Sequence, residues 1–297
     1  MASSSEMVGR GRPDGGILQV THGRSEQEKD NVRSFWDAAS CGEVLYLNGR
    51  NAFAFSEQAR VRYQLEPYIP GFAAFDAASK KRVLEIGVGL GADHEQFARA
   101  GAVLSGIDLT WRAVEATRER LATLGLRSDL KVGDAENLDY AADSFDIVFS
   151  WGVIHHSPNT GQAAREMLRV LQPGGRFAVM IYHRYSLVGY MLWLRYALLT
   201  GRPFTSLDSI YAKYLESPGT KAYSVREAIE LFAAADRVRA WTVLTHGDLL
   251  ESKAGQRHGG WVLSLARIIW PRRLIKALFP RSGLFLLIEG YKPIPAE

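Results

Sequence analysis

From about residue 80 onward, short apolar runs alternate with amphipathic stretches. Val83-Leu84-Glu85-Ile86 predicts a strand covered on both faces, because its apolar positions are nearly continuous rather than alternating. A glycine-rich turn follows, then a helical stretch, then the apolar run Val103-Leu104-Ser105-Gly106-Ile107 ending in Asp108. Leu130-Lys131-Val132 and Phe145 to Trp151 predict the third and fourth strands. Helical spacing over about Thr160 to Leu171 leads to a Pro-Gly-Gly turn and a fifth strand, Phe177 to Tyr182. Ser224-Val225-Arg226-Glu227 reads as a capping box opening a helix to Ala235. Arg237 to Thr245 and Leu284 to Tyr291 predict two last strands. Strand–helix alternation of this kind builds an α/β domain with helices on both faces of one sheet.

The regions outside this pattern carry their own signals. Residues 1–24 are rich in Ser, Gly and Arg without an apolar core and predict a disordered tail. Residues 25–76 are aromatic (Trp36, Tyr46, Phe55, Tyr63 and Tyr68 among them) and predict helices packed over the sheet. The domain proper spans 77–297, with insertions at about 186–223 and 246–283 that the basic pattern does not need. Ser186 to Leu199 is a strongly apolar helix, too short to span a bilayer. Trp261 to Trp270 and Arg272 to Phe279 are apolar and basic at helical spacing. The commoner role of such segments is a cap; contact with a membrane surface or lipid is the alternative. Both insertions follow strands on the expected ligand side and predict a lid.

The glycine turn is where chemistry enters. Gly87, Gly89 and Gly91 let the backbone approach a ligand closely, and the helix behind them points free N–H groups at it. Asp108 at the end of the second strand can accept from both hydroxyls of a ribose. The same turn also satisfies a dinucleotide fingerprint, so a nicotinamide or flavin oxidoreductase stands beside other nucleoside cofactors. Glu85, buried two residues before the turn, needs a cation or a cluster of loop N–H groups. Asp134-Ala135-Glu136 supplies an acidic turn that can bind an adenine amino group. An acidic lining suits a cationic cofactor better than an anionic pyrophosphate.

These motifs, VLEIGVGLGAD, GIDLT, VGDAENLDYAADSFDIVFSWGVIHH and LRVLQPGGRF, resemble class I S-adenosylmethionine-dependent methyltransferases. The likeness is to the small-molecule group similar to ubiquinone and menaquinone biosynthesis methyltransferases. It implies a Rossmann-like doubly wound seven-stranded sheet whose last strand is antiparallel, with N-terminal helices and two helical insertions forming a cap. It implies S-adenosylmethionine as cofactor. Glu85, Gly87, Gly89 and Gly91 would surround its amino acid and sulfonium side. Asp108 would hold the ribose, Leu109 would pack by the adenine, Asp134 and Ala135 would hold the adenine, and Trp151 would begin the loop beside the methionine moiety. Apart from the resemblance, the aromatic residues of 25–76 read first as core packing; the alternative is that Trp36 or Tyr46 covers the cofactor or lines the acceptor site.

For a general base on an O- or C-acceptor, the candidates are His183 and Tyr182 after the fifth strand, then His156 and His155 after the fourth. A metal site of His155, His156 and His183 lacks a carboxylate at fixed spacing, so no metal is expected. The acceptor expected is a small, fairly apolar metabolite (isoprenoid, quinone-like or polyketide-like), as in secondary metabolism. The alternatives are an RNA-modifying methyltransferase, an NAD-dependent oxidoreductase and a scaffold that binds cofactor without turnover. Among the 297 residues Cys41 is the single cysteine, so an internal disulfide framework is excluded and a cytoplasmic location is expected. The net charge of +4 is modest, and no appended RNA-binding module is evident, so a nucleic-acid partner is not expected.

Overall fold

The computed structural model describes residues 14–251 and 268–295, with side chains from residue 25 onward. Helices α1 (Asp14–Ala38), α2 (Glu43–Tyr46), α3 (Ala52–Leu65) and α4 (Ile69–Ala73) precede the sheet. Then follow β1 (Arg82–Ile86), α5 (Ala92–Arg99), β2 (Val103–Asp108), α6 (Trp111–Thr123), β3 (Asp129–Val132), β4 (Phe145–Trp151), α7 (Thr160–Val170) and β5 (Leu171–Tyr182). The chain continues through α8 (Leu187–Tyr196), α9 (Leu207–Tyr214), α10 (Val225–Leu231), β6 (Asp236–Val243), α11 (Arg272–Leu278) and β7 (Phe285–Tyr291). The seven strands form one sheet in the order β3-β2-β1-β4-β5-β7-β6. β1 to β5 pair in parallel, and β7 runs antiparallel to both β5 and β6. This is the Rossmann-like sheet expected from the motifs. Strand order reverses between β1 and β4, and that switch point is where a ligand fits beyond the strand carboxyl ends.

Period-two alternation sorts the core into two layers. Val83, Phe149, Ala178, Met180 and Tyr182 face one side, with Phe75 and Phe97. Leu84, Val148, Phe177, Val179 and Ile181 face the other, with Met167 and Phe232. Each large side chain fully buried in these layers contributes about 1.5–3 kcal/mol. Helix starts are capped where the sequence offers Asn, Thr or Ser: Asn51, Thr110, Asn159 and Ser186 each accept from a backbone N–H in the first turn. The capping box at Ser224 and Glu227 is present in full.

Two expectations are corrected, and a third lies largely outside the described residues. The boundary at residue 24 is not a break, because α1 is continuous from Asp14; once the turns around Val32 are packed, each further residue adds a hydrogen bond at little nucleation cost. Residues 1–13 lie outside the described residues. The Pro-Gly-Gly segment does not precede β5 but sits inside it. Leu171 pairs with Phe145, the register then shifts, and Gly174 takes φ 76°, which makes the turn a bulge. Of the helix expected over 261–270, residues 261–267 lie outside the described residues.

Candidate active site

One cavity of about 970 Å³ lies at the switch point. Its polar end is built by the β1 loop. Gly87 and Val88 donate to the Ile107 carbonyl at 2.7 and 3.2 Å, which folds the loop back onto β2. Asp108 is held from two sides: Oδ2 accepts from Gly89 N at 3.1 Å, and Oδ1 from the N–H and hydroxyl of Thr110 at 3.0 Å each. Burial pushes this carboxyl up, and those donors oppose the shift. Gly87, Gly89, Gly91, Asp108, Leu109, Asp134, Ala135 and Trp151 all line the cavity, as do Trp36 and Tyr46. A Cβ at Gly89 would have no neighbour within 4 Å, so the loop leaves open space on its ligand side.

Glu85 also lines the cavity, but its partner differs from the expected cation or N–H cluster. Oε2 lies 2.8 Å from Nδ1 of fully buried His94, whose Nε2 is 2.8 Å from the Ser128 hydroxyl. That hydroxyl donates to the Leu104 carbonyl at 2.9 Å. Burial pulls His94 down to about 3, so its ring is neutral. Burial, with Asp93 nearby, pushes Glu85 well up. The chain of bonds is complete when Glu85 carries the proton and donates to Nδ1, and Nε2–H donates to Ser128. The sequence hid this, because His94 meets Glu85 from α5 and meets Ser128 only once the sheet has formed.

The N-terminal helices close the polar end. Lys29 reaches from α1 to Asp134 and Glu136 at 2.7 and 2.8 Å. Arg62 on α3 pairs with buried Asp93 at 2.5 Å and with Glu66 at 3.3 Å. Burial raises Glu66 to about 7 despite Arg62.

At the other end the wall is apolar: Val188, Met191 and Leu192 of α8, then Leu215, Leu250 and Trp270. A polar cluster sits where the two ends join. Tyr182 donates to Glu216 Oε2 at 2.6 Å. His156 Nε2 lies 3.4 Å from the same oxygen, and Trp36 packs edge-on against the imidazole. Nδ1 of His156 is 2.8 Å from the Ser217 hydroxyl and 3.1 Å from that of Thr220. Thr220 spends its proton on the Ser217 carbonyl at 2.7 Å, so its oxygen can only accept. Thr220 thus accepts from a proton on Nδ1, the tautomer in which Nε2 carries a lone pair, while the Ser217 hydroxyl can serve either tautomer.

The histidine candidates therefore separate. His156 and Tyr182 line the cavity; His155 and His183 do not. His183 follows Tyr182 on the same strand path and faces the opposite side, where Nδ1 lies 3.2 Å from the Gly283 carbonyl. His155 is fully buried between the rings of His156 and Tyr182, at centroid distances of 4.2 and 4.1 Å. Burial, with His156 and Lys221 beside it, holds it well below the usual histidine range. The trio His155, His156 and His183 does not assemble; His155, His156 and Glu216 do, with potential ligand atoms within 4.8 Å of one another. Glu216 was missed in the sequence. Its only local signal is its place before the Ser217-Pro218-Gly219 turn late in the first insertion.

A family model described as a methyltransferase domain matches residues 84–179. The chain is similar to methyltransferase GfsG of Streptomyces halstedii, at 36% identity over 36% of this chain and 40% of that protein. It thus spans well under half of that relative's length. It is similar to demethylmenaquinone methyltransferase of Tropheryma whipplei, at 30% identity over 56% of this chain and 71% of that protein. Among solved structures, phosphoethanolamine N-methyltransferase 2 of Haemonchus contortus superposes with a TM-score of 0.55 at 18% identity, covering 78% of this chain and 52% of that one. At that identity the likeness speaks for the fold alone.

Proposed function

The chain belongs to the class I S-adenosylmethionine-dependent methyltransferases, and from that premise we propose that it methylates a hydroxyl of a small, fairly apolar metabolite. One observation carries the reading: a single cavity joins the Gly87–Gly91 loop and Asp108 to an apolar lobe, with His156, Glu216 and Tyr182 at the junction. The name of the Tropheryma whipplei relative, which specifies demethylmenaquinone, supports a metabolite as acceptor.

The bound cofactor supplies a methyl group made electrophilic by its sulfonium. The donors to Asp108 fix its carboxylate and leave outward lone pairs for two ribose hydroxyls. Asp134, with Ala135, offers an acceptor to an adenine amino group. The apolar walls exclude water and hold the acceptor oxygen at attack distance, where orientation supplies much of the rate. The lone pair on His156 Nε2 takes the acceptor's proton. Glu216 then faces the imidazolium it creates, and Tyr182 keeps that carboxylate in place.

The test is methyl-labelled cofactor, a panel of isoprenoid, quinone and polyketide alcohols or phenols, and mass spectrometry of the products. His156→Asn is expected to lower turnover by roughly 10²–10⁴-fold with cofactor affinity unchanged; His183→Asn is expected to leave both near wild type. Turnover by His156→Asn within threefold of wild type removes the base. Absence of binding to S-adenosylmethionine and S-adenosylhomocysteine removes the whole reading.

A further inference from the structure

The mouth of the apolar lobe is unlike the rest of the surface. Residues 187–205 and 268–282 contain Arg195, Arg202, Arg272, Arg273, Lys276 and Arg281, and no Asp or Glu. These two segments carry more positive charge than the net +4 of the whole chain. They also expose large apolar side chains: Leu199 at 74%, Phe204 at 100%, Ile268 at 79% and Leu278 at 62%. On α11, Ile275 packs inward while Leu274 and Leu278, one turn apart, face solvent. Isolated exposed apolar residues are ordinary, but a cluster interleaved with cations is not; of the six, Lys276 pairs with Glu251 at 3.1 Å and Arg272 donates to the Leu250 carbonyl.

The two segments adjoin. Leu187 N donates to the Ser282 carbonyl at 2.9 Å. Asp248 accepts from Val188 N at 3.2 Å, and its own carbonyl accepts from Trp270 Nε1 at 3.0 Å. Leu194 and Leu199 both line the cavity and face solvent, so they mark its opening. We propose that this face docks on an anionic lipid bilayer, with the apolar side chains entering the interface and the arginines meeting headgroup phosphates, so that the acceptor passes from lipid into the cavity. Interfacial binding by basic amphipathic surfaces combines these two contributions. No helix among the described residues is long and apolar enough to cross a membrane, and docking of this kind needs none. An acidic protein partner would meet the cations equally well but would leave side chains such as Phe204 without an apolar counterpart.

Only the acceptor's route rests on the methyltransferase reading; docking itself is read without turnover. The full chain is sedimented with vesicles of phosphatidylcholine alone or mixed with phosphatidylglycerol, at low and high salt. Binding to the mixed vesicles that weakens with salt is expected. Each cation near an anionic surface is worth roughly fivefold in partitioning, so Arg202→Glu with Arg273→Glu should reduce binding by more than about 25-fold. Phe204→Ser with Leu278→Ser should reduce it several-fold. All four residues are exposed and lie outside the cavity lining, so circular dichroism and cofactor affinity should match wild type. No binding to anionic vesicles at low salt overturns the proposal. So does binding indifferent to both double variants, or a dimer in solution that buries this face.

Discussion

Arg120→Met is expected to loosen the glycine loop as well as the fold. Arg120 sits on α6 with no exposed surface. Nε donates to Glu95 at 2.7 Å, Nη1 to Gln58 at 2.7 Å and to the Leu90 carbonyl at 3.1 Å, and Nη2 to the Phe55 carbonyl at 2.8 Å. One guanidinium thus ties the N-terminal helix α3 to the loop carrying Gly89 and Gly91. Methionine fills similar volume and donates nothing. Glu95 keeps Arg99, at 2.6 Å, so it is not stranded. Gln58 Oε1 and the two carbonyls lose their donor, at about 1–3 kcal/mol each before relaxation. Together this gives a loss of about 3–5 kcal/mol, the range for breaking a buried ion pair. In a chain of this size that lowers Tm by about 6–20 °C. Urea unfolding followed by tryptophan fluorescence measures the loss. Titration with S-adenosylhomocysteine well below the new Tm should show several-fold weaker binding, because the Leu90 carbonyl is no longer held. Arg120→Lys should fall between, since an ammonium cannot reach all four acceptors in the plane of the fork. A loss under 1 kcal/mol with unchanged affinity would refute the account.

Glu66 titrates at about 7 in the fold against about 4.5 unfolded, so the native state binds the extra proton between those values. Its stabilising contribution is complete below pH 4.5 and is lost as pH rises through 7. Relative to wild type, Glu66→Gln should therefore gain stability over that window, by up to about 1.4 kcal/mol per pH unit; paired denaturation curves at pH 5 and pH 8 that shift equally would contradict this. At Gly87, where φ is 83° and a Cβ would lie 2.1 Å from Val153 Cγ2, alanine should cost about 1–3 kcal/mol and weaken cofactor binding at least tenfold; calorimetry on the variant checks both. Lys29→Met should speed release of S-adenosylhomocysteine by freeing Asp134 and Glu136 from α1, and a stopped-flow off-rate equal to wild type would argue against any latch.

What was readable in the sequence is what depends on neighbours in the chain. The glycine loop, the acid ending β2 and the capping box at Ser224 each declare themselves within a few residues, because turn and cap geometry are local. Asp108 is held by Thr110 two residues on and by Gly89, nineteen residues earlier, across the neighbouring strand's loop. Glu85 was readable as a buried acid requiring compensation, but its compensation was not, since His94 reaches it from α5 and is itself held by Ser128 from the segment before β3.

The proposed base was legible only to the level of a short list of candidates, and the reason differs for each member. His183 could have been set aside from sequence alone. Tyr182 and His183 are consecutive at the end of a strand, so they face opposite sides, and Tyr182 continues the face that carries Ala178 and Met180 toward the cavity. His155 and His156 are not separable in that way, because they lie in a turn without a fixed period. Ser217 and Thr220, through the turn after α9, orient the second imidazole, while packing between aromatic rings isolates the first. Glu216, the proposed partner of that base, lies in an insertion whose sequence reads as cap helices. Its carboxylate acquires a role only when the insertion folds back onto the end of β5 and brings it to Tyr182 and His156. The same fold-back lays the apolar wall of α8 beside the polar cluster. On the proposed function, a change of acceptor would fall on the insertions, while the residues proposed to hold the cofactor come from β1, β2, the loop after β3 and the end of β4.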